Sequence, residues 1–338
     1  MRTLDTKTIA ISRTDGIGDV ILTLPLCGII KKNYPNSNLL FFGSSYTKDI
    51  ITLNNDVDSF IDYTNLLTLN KKEQIEYLKS LKIDIILFIF PNRYLSYLCK
   101  KAKIKTRIAT SHRIYNLLYC NKLINFSRKN SFLHEAQLNT FLLSPFIQNK
   151  DYSKEELFNF IHFIKPKTDS IIKNKLSNTS FNLIIHPKSK GSAREWTMDN
   201  YNKMITFLDK DIKIFVCGTE NEGKSINIEG ENVTILTGTM SLKEYIEFIS
   251  LSDCLVACST GPLHLAGILN INAVGLFAPM KSINPQRWQP LGNKVKIFCK
   301  DKPLCNDCKK NSPCKCINDI TPQEVASYIN NLNRNKNN

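Results

Sequence analysis

The sequence predicts two consecutive doubly wound α/β domains. Three observations carry that expectation. Short, nearly all-apolar runs alternate with helical segments, the pattern of parallel strands covered on both faces. The alternation stops in a polar, lysine-rich stretch at 150–180, read as a linker, and then starts again. Finally, 338 residues is length for two domains at roughly 100–200 residues each. A hydrophobic fraction of 42% supplies both cores and excludes a disordered or collagen-like chain.

In order, Thr8–Ser12 reads as a strand and Gly18 to Asn33 as helical from its apolar period. A strand at Leu39–Phe42, a helix from about Thr47 and a short β run near Ser59–Tyr63 follow. Glu73–Leu81 reads as helical, and Ile83–Phe90 as a buried strand. Beyond the linker come strand Asn182–His186, helix Met198–Leu208, strand Lys213–Cys217, a helix from Glu220 and strand Val233–Leu236. Helix Leu242–Leu251, strand Cys254–Cys258, helix His264–Leu269 and strand Ala273–Phe277 complete the second alternation. The expected domains are 1–165 and 166–320, with 321–338 as a helix and frayed Asn/Lys-rich tail. Ligands are expected at the C-terminal ends of the strands, between the two domains.

The charge points to polyanionic partners. Lys and Arg total 45 against 30 acidic residues, a net +15. Residues 1–150 hold 21 Lys/Arg and 11 Asp/Glu, so most of the excess lies in the first half. Its densest part is Lys100, Lys101, Lys103, Lys105 and Arg107, whose alternation with Ala102, Ile104 and Thr106 reads as a strand or loop with one basic face. Such a face is either simply solvated or meets phosphate or lipid headgroups.

The start, MRTLDTKTIAI, mixes acid and base and is unlike a secretory signal. The apolar runs at Val20–Ile30 and Ile85–Pro91 fall short of the ~20 residues that span a bilayer. A cytoplasmic protein resting on a membrane surface is expected, its 11 cysteines thiols or metal ligands rather than disulfides.

Four loops can carry chemistry. Ser12-Arg13-Thr14-Asp15-Gly16-Ile17-Gly18-Asp19-Val20 lies between a strand and a helix, its glycines allowing a tight turn. It is not a dinucleotide fingerprint, because Ile21 stands at the third glycine position. Asp19 is either a first-turn cap or a general base. His186 to Trp196 offers hydroxyls, cations and backbone N–H groups ahead of a helix, either an ordinary βα loop or a phosphate cradle. Cys258-Ser259-Thr260-Gly261-Pro262-Leu263-His264 passes from a strand into a helix whose N-terminus favours anions. A lone histidine there packs more often than it catalyses. In Cys217-Gly218-Thr219-Glu220-Asn221-Glu222, an acid after a strand can bind a ribose or sugar hydroxyl.

The order of these motifs resembles glycosyltransferase family 9, the ADP-heptose:lipopolysaccharide heptosyltransferases. The matching segments are GDV, HP-S-(x)n-R-x-W, CG-x3-E, STGPLHLAG and FAPM-(x)n-P-x-RW-x-PLG, over about residues 8–330. His134-Glu135 followed by Asn139 resembles a further segment of the family's first domain. The resemblance implies a GT-B fold, two Rossmann-like domains facing across a cleft, with acceptor in the first and nucleotide-sugar in the second. It implies inverting transfer of heptose from ADP-heptose to a lipid-linked, phosphorylated core sugar. In its terms Asp19 is the base, Ser189 and Arg194 bind pyrophosphate, and Glu222 lies on the ribose side. Ser259, Thr260, Gly261 and His264 form the loop that grips the donor phosphates. Many members carry Asp where this chain has Ser259, which leaves the transferred sugar open. Arg13, Lys100, Lys101, Lys103 and Arg107 are the cations expected to meet the acceptor. No DxD-like acidic pair ends a strand of the second domain, in keeping with transfer that needs no metal cofactor.

Cys27, Cys99, Cys120, Cys217, Cys254 and Cys258 sit in apolar contexts and read as packing residues. Cys305-x2-Cys308-x5-Cys314-x-Cys316 gathers four thiols in one loop, compatible with a structural tetrahedral zinc ion. Two readings of other classes stand beside the enzyme. One is a basic nucleic-acid-binding protein, which lacks any helix-turn-helix, RNP or basic-repeat signature. The other is a nucleotide-sugar-binding module without catalysis.

Overall fold

A computed structural model describes residues 6–129, 131–148, 151–300, 305–309 and 315–337. The chain divides into two compact units, Met1–Ile164 and Lys165–Asn338. The first holds a parallel sheet of β1 (Thr8–Ser12), β2 (Asn38–Gly43), β3 (Ser59–Asp62), β4 (Ile85–Phe88), β5 (Thr106–Thr110) and β6 (Lys122–Ile124). Its strand order is β3-β2-β1-β4-β5-β6. The second holds β7 (Asn182–His186), β8 (Lys213–Val216), β9 (Val233–Ile235), β10 (Cys254–Cys258), β11 (Asn272–Leu276) and β12 (Val295–Phe298). Here the order is β12-β11-β10-β7-β8-β9, and every pairing is again parallel.

Both sheets therefore share one Rossmann-type order, reversing direction beside their first strand. At that reversal the neighbouring connections leave toward opposite faces, so a crevice opens at the C-terminal ends of β1 and β4, and of β7 and β10. The central strands are buried along their whole length, as in the Leu-Ile-Ile run of β7 and the Leu-Val-Ala run of β10. Helix starts are set by capping boxes at Asn70–Glu73, Ser153–Glu156, Thr219–Glu222 and Ser241–Glu244.

Several expectations need correction. The segment Gly18 to Asn33 is two helices, Ile17–Ile21 and Pro25–Asn33. Pro25 cannot donate a backbone hydrogen bond, so it starts a new helix rather than continuing the old one. The stretch 150–180 does carry the boundary between the units, after Ile164, but much of it is folded onto one unit or the other. Helix Lys154–Asn159 buries Leu157 in the first unit, whereas helix Ser170–Lys173 buries Ile172 in the second. The expected C-terminal helix is present over Pro322–Asn337, but it continues through the Asn/Lys-rich stretch expected to fray, and its Val325, Ala326 and Ile329 are buried in the second core. Lys100 and Lys101 close a helix, Arg93–Lys101, instead of lying on a strand or loop. Strands β6 and β12 are not marked by the sequence pattern, and β5 takes up only the end of the basic run, from Thr106.

Residues 151–164 pack back onto the first unit at several points, one of them a close approach to helix Pro25–Asn33. A Cβ at Gly28 would lie 2.2 Å from the Phe160 carbonyl oxygen. Because that obstacle is backbone, Gly28→Ala must push two segments apart. The expected cost is about 1–3 kcal/mol, read as a lower urea midpoint at unchanged slope.

Candidate active site

The first cluster lies where β1 ends beside β4. The Arg13 side chain is 4% exposed and reaches three carboxylates. Its Nε donates to Asp15 Oδ1 at 2.7 Å, an Nη donates to Asp19 Oδ1, and the other Nη lies 3.7 Å from Glu135 Oε1. Glu135, 2% exposed, also accepts from Arg128, which donates to Asn139 Oδ1 at 3.0 Å and to the Ile89 carbonyl at 3.2 Å. Asn139 in turn donates to the Leu22 carbonyl at 2.9 Å, fixing helix Glu135–Thr140 against the turn after Asp19. The Phe90 ring covers Arg13, with the guanidinium carbon 5.7 Å from its centroid.

Two cations therefore face three carboxylates, and one negative charge is left over. It is expressed at Asp19. Burial pushes its carboxyl up to about 6; Arg13 pulls it down, and Asp15 and Glu135 add to the rise. Burial also works against the Arg13 charge, but the three acids outweigh it and keep the guanidinium protonated. Gly16 leaves room for this carboxylate, since a Cβ there would stand 3.3 Å from Asp19 Oδ2. The Asp19 side chain remains 28% exposed, enough to meet a ligand. A partly exposed carboxylate held by a buried arginine, its carboxyl raised to about 6, suits a general base.

Arg13 is corrected by this geometry. Its guanidinium is committed to acids, so it positions Asp19 instead of meeting an acceptor. Arg128 and the ion pairing of Glu135 are what local sequence pattern does not show. The His134-Glu135 segment had been singled out, but its pairing with a loop 122 residues earlier leaves no local signal.

The basic cluster at 100–107 is not brought to this site. It runs from the end of helix Arg93–Lys101 into the start of β5, at the N-terminal end of the parallel strands, whereas Asp19 follows the C-terminal end of β1. Lys103 adopts a left-handed turn at φ 61°, and Lys101, Lys103 and Lys105 are exposed. Lys100 Nζ donates to the Leu118 carbonyl at 2.7 Å. Arg107 donates to the carbonyls of Ile104 and Tyr119, so it braces a turn and is not a free anion ligand.

The second cluster lies where β7 and β10 end side by side. After β7 the loop folds on itself around Glu195. The Ser189 N–H and hydroxyl donate to Glu195 Oε1 at 2.8 and 2.9 Å, and Gly191 N–H donates to Ser189 Oγ at 3.2 Å. Ser189 thus orders the loop rather than offering its proton to a phosphate. Lys188 and Lys190 line a cavity of about 440 Å³ with Glu195, Thr219, Asn221, Glu222 and Ser225. Arg194 is half-buried in the same loop, two residues before the anchor Trp196.

Glu222 accepts from the Thr219 N–H and hydroxyl at 2.7 and 2.8 Å. Burial opposes its charge, but these bonds, with the Lys190 charge, hold its carboxyl below the usual range. It faces the cavity as an acceptor of hydrogen bonds. His186, at the end of β7, is pushed down to about 4 by burial and stacks on Tyr245, its Nδ1 3.1 Å from the Tyr245 hydroxyl. It is neutral near pH 7 and carries none of the site's charge.

After β10, Ser259 is half-buried and Thr260 occupies the N-cap of helix Gly261–Ile268 without a side-chain cap bond. Its Oγ1 is buried and has no hydrogen-bond partner among the described residues. A buried hydroxyl left so beside a helix N-terminus suits an anionic ligand. His264, 3% exposed, lies within the first turn. Of the expected zinc ligands, Cys305, Cys308 and Cys316 come together, and Cys314 lies outside the described residues. The six cysteines expected to pack are all buried.

Two Rossmann-like parallel sheets in one chain make up the GT-B fold. Known proteins agree. A glycosyltransferase family 9 (heptosyltransferase) model matches residues 89–318, and the chain belongs to that family. It is similar to a Haemophilus influenzae protein assigned only as a glycosyltransferase, 24% identical over 98% of this chain and 99% of the other. It is also similar to lipooligosaccharide heptosyltransferase 2 of Campylobacter jejuni, 25% identical over 94% and 96%. Among solved structures, E. coli ADP-heptose lps heptosyltransferase II superposes with a TM-score of 0.76 at 15% identity, over 98% of this chain and 100% of that one. At that identity the likeness speaks for the fold.

Proposed function

We propose that this glycosyltransferase moves heptose from ADP-heptose to a phosphorylated, lipid-linked core sugar of lipopolysaccharide or lipooligosaccharide, with inversion. The carrying observation is Asp19, a partly exposed carboxylate held by Arg13 and raised to about 6. In this reading the acceptor hydroxyl oxygen attacks the anomeric carbon and its proton passes to Asp19. The bond from that carbon to the β-phosphate oxygen breaks, and its electron pair leaves on ADP. The transition state has oxocarbenium character. Arg194, Lys188, Lys190 and the helix that begins at Gly261 take up the charge gathering on the diphosphate. Thr260 Oγ1 and His264 hold that end of the donor, and Glu222 accepts from ribose hydroxyls. No step requires a metal.

Donor screening tests this reading: ADP-heptose should be consumed only with acceptor present, and ADP-, UDP- and GDP-hexoses should give little turnover. Ser259 favours one alternative, transfer of another nucleotide-activated sugar, which turnover with a UDP- or GDP-sugar alone would establish. Donor binding without turnover on any acceptor would instead indicate a non-catalytic binding module.

The pH profile follows from Asp19. A base works when ionised, so kcat/KM should fall about tenfold per pH unit below roughly 6 and level off above. Asp15 raises the Asp19 carboxyl, so Asp15→Asn should move that limb to lower pH. An unshifted limb in Asp15→Asn would reject Asp19 as the titrating group.

Among the described residues no helix is long and apolar enough to cross a membrane. We assign the exposed lysines near β5 to an anionic membrane surface, the cytoplasmic face of the inner membrane. Replacing Lys100, Lys101 and Lys103 with Gln should weaken sedimentation with phosphatidylglycerol vesicles several-fold. Turnover of a short, delipidated acceptor and donor affinity should stay unchanged, because these residues lie at the opposite end of the sheet from Asp19.

A further inference from the structure

We propose that Cys305, Cys308 and Cys316 form a thiolate site for one metal ion of tetrahedral preference, Zn²⁺ or Fe²⁺, apart from the transfer chemistry. Their three sulfur atoms all lie within 4.8 Å of one another. Thiolates on one zinc ion, with Zn–S near 2.3 Å, stand about 3.8 Å apart, so a small contraction completes the geometry. The turn is already shaped for it. Cys308 N–H donates to Cys305 Sγ at 3.3 Å across the start of the short helix Asn306–Lys309.

Simple packing explains Cys308, which is fully buried, and capping explains Cys305. Neither explains why Cys316, eight residues further on, brings its sulfur to the same point. A disulfide would use two of the three thiols and give the third no reason to converge. Soft sulfur ligands select zinc or iron over magnesium or calcium. Cys314 offers a fourth thiol in sequence, and the proposal rests on the other three.

The site has a structural consequence. Cys316 opens the segment that delivers Ile317 and Ile320 to the second core, and Trp196 Nε1 donates to the Ile320 carbonyl at 3.2 Å. A metal closing the loop before Ile317 therefore stabilises the floor beneath Trp196, so its binding energy becomes folding energy.

Elemental mass spectrometry on the purified full-length protein tests this. The expected result is about one equivalent of zinc or iron per chain. That content should be retained in Cys299→Ser and fall below about a tenth in Cys305→Ser and Cys316→Ser. Iron, once oxidised by air to the ferric state, would also give visible thiolate-to-metal absorption that zinc lacks. Should the serine variants fail to fold, Co²⁺ titration of metal-stripped, reduced wild-type protein serves instead. Intense thiolate-to-cobalt bands saturating at one equivalent support the site, and a chelator should then lower the melting temperature. Three results would overturn it: under a tenth of an equivalent after reconstitution without cobalt bands, equal metal in the serine variants, or a disulfide joining two of these cysteines under reducing purification.

Discussion

Asp19→Asn should lower kcat by about 10²–10⁴-fold, the range lost with a general base, while leaving donor affinity within about twofold. The amide keeps the shape and still accepts from Arg13, but it cannot take the acceptor proton. The substitution also removes the group that titrates near 6, so the residual activity should lose its acidic limb. Steady-state ADP release with and without acceptor, alongside calorimetric titration with ADP, separates the two effects. Near-wild-type turnover with intact ADP binding would exclude Asp19 as the base. Stability is expected to rise slightly, if it changes, because the ionised carboxylate is disfavoured by burial in the folded state and an amide is not.

The second large effect belongs to Arg194. Arg194→Ala should cost about 10²–10³-fold in kcat, comparable with losing an oxyanion donor, since the diphosphate gains charge as it departs. Arg194→Lys should recover part of that loss, because a point charge replaces some but not all of a planar fork. Lys190→Ala, on an exposed turn at the rim, should act mainly on KM and more weakly at high salt. A kcat unchanged in Arg194→Ala would move leaving-group stabilisation to Lys188 and the helix at Gly261.

Much of the fold could be read from the chain because strands buried on both faces carry continuous apolar runs. Asn182–His186 and Cys254–Cys258 are seen in the structure with the bounds expected of them. Edge strands were harder. β6 is three residues with a charged start, and β5 begins Thr-Arg, so neither stands out by hydropathy. The basic run at 100–107 alternates like a strand only because a helix end, a left-handed turn and a strand start fall in succession. The same limit governs the site. Asp19, Thr260 and Glu222 lie on βα loops whose positions local pattern reveals. The role of Arg13 depends on Glu135 and Arg128, contributed from elsewhere in the unit, so a cation near a loop mouth reads wrongly as an anion ligand.

The C-terminal helix has a bearing on biogenesis. All elements of the first unit are in hand once residue 164 has been made, so that unit can fold while synthesis continues. The second cannot close as early, because Val325, Ala326 and Ile329 belong to its core beside β7, β8 and β10. Its first strands, among the most apolar in the chain, must wait for nearly 150 further residues to emerge, about 10–30 s at ordinary rates of elongation. Chaperone dependence and aggregation during expression should therefore track the second unit, and pulse-labelled nascent chains should gain protease resistance in two separate steps.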